Sequence, residues 1–187
     1  MTRAERTLAV AAEVADVLAK HNVPCAVIGA VALAIHGYVR DTEDFDIATA
    51  TDPFRTLGAV EKELAGRYRV ELITPDAEDP LGGCLNITGD DFDLVQIVNF
   101  ENPFRPGAGA AGRAAVQTAT PNVLGTLAVA DLPHLIALKL YAGGRKNELD
   151  VLELLDRHPE IDNEALASLC ASLGLEGELR ALKKSLG

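Results

Sequence analysis

Apolar and polar positions run with two different periods along this chain, and the changes of period mark its elements. Leu8, Ala11, Ala15 and Leu18 recur at helical spacing, which predicts a helix over 4–20 that HNVP ends. The short apolar run 24–28 predicts a strand closed by Gly29. AVALAIH (30–36) predicts a buried helix with Gly37 at its C′ position. DFDIAT predicts a second strand. Asp52-Pro53 has the N-cap and N1 chemistry that opens a helix, here running to about Gly66. YRVELIT, GCLNIT and DFDLVQIV predict three more strands, the last two joined at Gly89-Asp90. The Gly-, Ala- and Pro-rich stretch 99–113 predicts a mobile loop. VLGTLAVA is a further strand candidate. Asp131 opens a helix to about Ala142, Gly143-Gly144 breaks it, and 147–157, 162–173 and 176–185 follow as helices. The order implies a mixed sheet with helices packed on it over 1–130, and a helical segment over 131–187 packed against that core.

Composition narrows the function classes. A chain of 187 residues has the length of about one domain. Hydrophobic residues make up 48% and charged residues 24%, which disfavours disorder and coiled coil. Aromatics are only 4%, too few for a single-strand stacking platform. Seventeen basic against 28 acidic residues leave a net charge of -11, so an extended nucleic-acid duplex is a disfavoured partner. A small anion held by a few local cations is not. Acidic residues interrupt the apolar pattern of the first helix, which argues against a signal peptide, and no apolar run is long enough for a membrane span. Cys25, Cys84 and Cys170 lack metal-type spacing and suggest reduced thiols in a cytoplasm.

The chemistry concentrates around DFDIAT. Asp44 and Asp46 are two apart on a strand, so their carboxylates share a face about 7 Å apart along the chain. Two like charges on one face repel unless a cation sits between them. The plain alternative is a solvated strand edge. Asp93, at the start of another apolar strand, would complete a three-carboxylate site for a hard cation if the strands were neighbours. Otherwise it is a solvent-facing strand start. Gly29 and Ala30 stand where a strand turns into a helix, and free backbone amides there suit an anion. A tight turn would need the same residues. Val31 occupies the place of the second glycine of a dinucleotide fingerprint, which excludes that reading.

Gly29-Ala30, followed after thirteen residues by Asp44-Phe45-Asp46-Ile47, resembles the first motif of the nucleotidyltransferase superfamily, the DNA polymerase β-like fold. His36, Gly37, Arg40 and Thr42 match the stretch preceding the Asp-x-Asp in a small bacterial branch that includes abortive-infection and toxin–antitoxin toxins. The segment 131–156 resembles that branch's later helical motif, with Lys139, Arg145, Lys146 and Asp150 on its polar positions. Ala30 replaces the usual second Gly or Ser, and Asn147 stands where the branch has Asp.

The resemblance implies a mixed-sheet nucleotidyltransferase-type core and metal-dependent transfer of a nucleoside monophosphate from a nucleoside triphosphate to an acceptor hydroxyl, releasing pyrophosphate. The acceptor could be a small molecule, a protein or an RNA end. Asp44, Asp46 and Asp93 would be the catalytic carboxylates and the ligands of Mg2+ or Mn2+. Gly29, Ala30, Arg40, Thr42, Lys139 and Arg145 would contact the nucleotide. Arg40 could equally pair with a neighbouring acid, and Lys139 could reach out from a half-buried helix face. Ala30 and Asn147 motivate a different class of function: a catalytically silent binding or regulatory module of a toxin–antitoxin pair, with a cognate antitoxin as partner. A haloacid-dehalogenase-type phosphatase also uses Asp-x-Asp, but Ala48 stands where that motif wants Thr or Val.

Overall fold

The computed structural model describes residues 1–121 and 127–184. They form eight helices and one seven-stranded mixed sheet. Helix α1 (Arg3–Lys20) starts at a capping box, in which Thr2 Oγ1 accepts from the Glu5 amide and the Glu5 carboxylate accepts from the Thr2 amide. It buries Val10, Val14, Val17 and Leu18. Strand β1 (Cys25–Val27), helix α2 (Gly29–Ile35), strand β2 (Asp44–Thr49) and helix α3 (Thr56–Leu64) follow. Then come β3 (Arg69–Ile73), β4 (Cys84–Thr88) and β5 (Leu94–Asn99). Helix α4 (Ala110–Thr118) leads into the two-residue strands β6 (Thr120–Pro121) and β7 (Ala128–Val129). Four helices end the described chain: α5 (Leu132–Ala142), α6 (Gly144–Arg157), α7 (Asn163–Ser172) and α8 (Glu176–Lys184).

The strand order is β3-β4-β5-β2-β1-β7-β6. β2 is central, parallel to β5 and antiparallel to β1. Alternation along β2 and β5 divides the sheet. Phe45, Ile47, Val95 and Ile97 point to one face and are almost wholly buried, as are Leu85 and Ile87 of β4. Each such side chain contributes roughly 1.5–3 kcal/mol of burial. Helix α1 covers this face, with Leu8 and Phe45 lining the same small cavity. The other face carries Asp44 and Asp46 of β2, Leu94, Gln96 and Val98 of β5, and Cys84 and Asn86 of β4. Apart from Asp44, which is exposed, these side chains are half-exposed.

Five sequence expectations shift. Asp52 does not open the helix directly: its Oδ1 caps a turn by accepting from the Phe54 and Arg55 amides, and α3 begins at Thr56. The stretch 99–113 is not one loose loop. Asn102, 2% exposed, donates to the carbonyls of Asp76, Asp79 and Leu81, and residues from Ala110 onward are helical. Gly112 lets α4 lie on the Phe100 ring, since a Cβ there would sit 2.0 Å from Phe100 Cγ. DFDLVQIV is a strand only from Leu94. Of VLGTLAVA, Ala128–Val129 is strand, and 122–126 lie outside the described residues. Helix α6 begins at Gly144, three residues ahead of the expected start at 147.

Candidate active site

Asp46 is the centre of the site. It lies half-buried on β2, and its backbone carbonyl accepts from the Ile28 amide, which ties the start of α2 to the strand. Gly29 has a positive φ of 64°, and a Cβ there would fall 2.0 Å from Asp46 Oδ2. Only glycine meets both demands. Burial pushes the Asp46 carboxyl up to about 6, helped by the charge of Asp44 and opposed by Lys139, Arg40 and Lys146. Asp44 is exposed at the strand start and accepts from the Thr42 hydroxyl. Thr42 is therefore spent on Asp44. Ala30, 4% exposed, is a packing residue at the start of α2, whose first turn has no side-chain cap.

The cations are organised by a residue outside the expected set. Asp150 of α6 is 1% exposed. It accepts from Arg40 Nε at 3.1 Å, and its other oxygen is 2.9 Å from Lys139 Nζ. Lys139, itself 8% exposed, also donates to Asn147 Oδ1, while Asn147 Nδ2 donates to the Gly143 carbonyl. One buried carboxylate thus fixes two cations, and the surplus positive charge faces Asp46. Lys146, exposed one turn before Asp150, adds to that field. Arg145 does not join it. Its side chain is 74% exposed, pairs with Glu148, and lines a separate cavity on the α8 side of Lys139.

Asp93 lies toward α1 and not toward Asp46. It precedes β5, and its carboxylate pairs with Arg3 and accepts from Thr7, both on α1. Its amide also donates to Thr7 Oγ1. It shares a small cavity with Asp44 and Thr42 but not with Asp46. The residue in register with Asp46 on β5 is Gln96, whose Nε2 donates to Asn86 Oδ1 at 2.7 Å. Among the described residues no group of three or more His, Cys, Asp or Glu could hold a metal ion. The three-carboxylate cluster expected from the sequence does not form.

Asp46, Gly29, Lys139 and Asn147 also border a cavity of about 560 Å³. The rest of its wall is mainly apolar, from Leu81, Val98, Phe100, Leu138 and Tyr141, together with Arg105. The sequence signal for Gln96 was its polar place in an otherwise apolar strand. Asp150 showed only as a polar position of the later helical motif, and Arg105 had no local signal, because their meaning lies in what the fold brings to them.

Comparison with solved structures accounts for this architecture. The antibiotic-resistance factor ANT(2'')-Ia in solution matches over 97% of this chain and 95% of its own, at TM-score 0.54 and 14% identity. Its crystal structure in complex with adenylyl-2''-tobramycin matches over 89% of this chain and 95% of its own, at TM-score 0.55 and 16% identity. The chain has a nucleotidyltransferase fold. An antigenic nucleotidyltransferase-like protein from Paracoccidioides brasiliensis shares that fold over 98% of this chain and 94% of its own, at TM-score 0.51 and 17% identity. No protein-family model and no curated protein matches the sequence. Among the described residues no helix is long and apolar enough to cross a membrane.

Proposed function

We propose that this chain transfers a nucleoside monophosphate from a nucleoside triphosphate to an acceptor hydroxyl, with Asp44 and Asp46 as the metal-binding pair. The observation that carries this reading is the Asp46 carboxylate. It lies against Gly29, receives no hydrogen bond from the described residues, and faces Lys139 and Arg40 across the site. Two carboxylates suit Mg2+ or Mn2+, because Mg2+ is commonly held by one or two carboxylates together with substrate phosphates. The bound ion would neutralise phosphate oxygens and so lower the cost of attack at the α-phosphorus.

The chain's own groups supply the remainder. Lys139 and Arg40, held in place by Asp150, offer fixed positive charge to the phosphates, which is worth most where water is excluded. In the transfer the acceptor oxygen bonds to the α-phosphorus as its bond to the bridging oxygen breaks, and pyrophosphate leaves with the electron pair. Gln96 holds the β5 position beside Asp46 and cannot accept the hydroxyl proton as a carboxylate would, so that proton passes to water.

The same Gln96 favours a second reading, a module that binds nucleotide without turnover, as in a silent member of a toxin–antitoxin pair. Calorimetry with Mg2+ and each nucleoside triphosphate, followed by label transfer from the α-phosphate in the presence of candidate acceptors, separates the two. Turnover that disappears in Asp46→Asn supports the enzyme. Binding without turnover supports the module, and no binding overturns both.

A further inference from the structure

The cavity beside Asp46 differs in character from the phosphate end of the site. Pro80, Arg105 and Ala142 form its exposed parts, and Leu81, Val98, Phe100, Leu138 and Tyr141 form most of the interior. At about 560 Å³ it lies within the range of small-molecule sites. A triphosphate suits only the end bordered by Gly29, Asp46 and Lys139; along the apolar walls its charges would be stripped of water with few partners. A nucleobase fits poorly too, since the polar groups that could read its edge are already engaged. The Tyr141 hydroxyl donates to the Pro80 carbonyl, and Lys139 and Asn147 bond each other.

Charge settles the class further. The chain is acidic overall, but this wall is not. Lys139 is paired with Asp150 and serves the phosphates, so the cation the wall leaves to a ligand is Arg105, and its one carboxylate, Asp46, is committed by the proposed reading to a metal. Arg105 donates to the Glu78 backbone carbonyl and pairs with no carboxylate among the described residues. Asp79, whose field reaches Tyr141, accepts from the Leu81 amide.

We infer that this cavity receives the acceptor, and that the acceptor is a compact molecule with an apolar, ring-sized body that is neutral or anionic and carries no positive charge. This rests on the nucleotidyltransferase reading, which makes Asp46 the reaction centre. The cavity is then the specificity pocket, and Arg105 selects against amines.

The test is fluorescence titration of the full chain with 1-anilinonaphthalene-8-sulfonate, a ring-sized apolar probe bearing one anion. The wild type saturates at one site. Arg105→Glu weakens the probe by about tenfold or more, the effect of one lost charge contact. Ala142→Trp, which fills the cavity from its exposed rim, abolishes binding. Since Arg105 is exposed, the first variant keeps the test valid if the second misfolds. Saturating MgATP leaves probe affinity within about twofold, because acceptor and nucleotide bind together, and tobramycin, a polyamine, does not displace the probe. Unchanged affinity in Arg105→Glu, displacement by MgATP, or displacement by tobramycin overturns the inference. Calorimetry of MgATP alone reads the nucleotidyltransferase proposal separately, so its failure is distinguishable from failure of the pocket.

Discussion

Asp46 faces Gln96 across the parallel β2–β5 ladder, residue opposite residue, while Asp93 lies beyond the end of β5 with its carboxylate on Arg3. In the proposed metal site a carboxamide therefore stands beside the two carboxylates. Gln96→Glu would put a third acid beside Asp46. Without metal the added repulsion lowers the melting temperature at neutral pH. With Mn2+ the loss reverses, and Mn2+ binds more tightly than to the wild type. Thermal melts with and without Mn2+ read both effects. A variant indifferent to the metal contradicts the placement of Gln96.

Gly29 tests the close approach of α2 to the carboxylate. Gly29→Ala demands a left-handed conformation of an L-residue and a Cβ within 2.0 Å of Asp46 Oδ2. Strain of this kind costs about 1–3 kcal/mol, and Asp46 must rotate away to relieve the clash. Chemical denaturation is expected to show that loss together with weakened Mn2+ binding. Full stability would show that Asp46 does not lie against the turn.

How much was legible in the sequence follows from these particulars. DFDIAT declared its strand, its buried face and its acidic face, because alternation is local. Asp93 did not declare its side. The turn after β4 extends through Phe92, which packs on Tyr68 and fills the space a Cβ at Gly89 would need. That delays β5 to Leu94 and leaves Asp93 with α1. Register is a property of two strands, and one strand's sequence cannot fix it. Helix α4 was hidden because Gly112 reads as a helix breaker until Phe100 is seen beneath it. Asp150 read as one polar position in a helical motif. Its burial with two cations depends on α5, α6 and the segment before β2 meeting.

That meeting makes Asp150 a positioning residue for Lys139 and Arg40. Asp150→Ala leaves two cations poorly compensated, one of them buried, and is expected to destabilise the fold by about 3–5 kcal/mol. Combining Asp150→Leu with Lys139→Met restores much of that stability, because a buried pair can be replaced by apolar groups at little cost. The restored protein still binds MgATP weakly, since the fixed charge is gone. Denaturation and calorimetry on the two variants separate stability from function.

The junction of α6 with α2 carries a pH dependence. His158 Nε2 donates to the His36 carbonyl, and its Nδ1 meets the Glu160 carboxylate. Both acceptors favour the doubly protonated ring, the His36 carbonyl most, so the His158 pKa is raised from 6.5. The stabilisation is fully present below the unfolded value of about 6.5 and is lost as pH rises through the higher folded value. Melting temperature is therefore expected to fall across that interval in the wild type and less in His158→Gln. Equal slopes would contradict the contact.

The most direct measurement of the central claim is Mn2+ binding in the presence of ATP, followed by electron paramagnetic resonance in the wild type and in Asp46→Asn. The account predicts ATP-dependent immobilisation of Mn2+ by the wild type, its loss in Asp46→Asn, and a melting temperature in the variant no lower than in the parent. Equal Mn2+ binding by both proteins would contradict it.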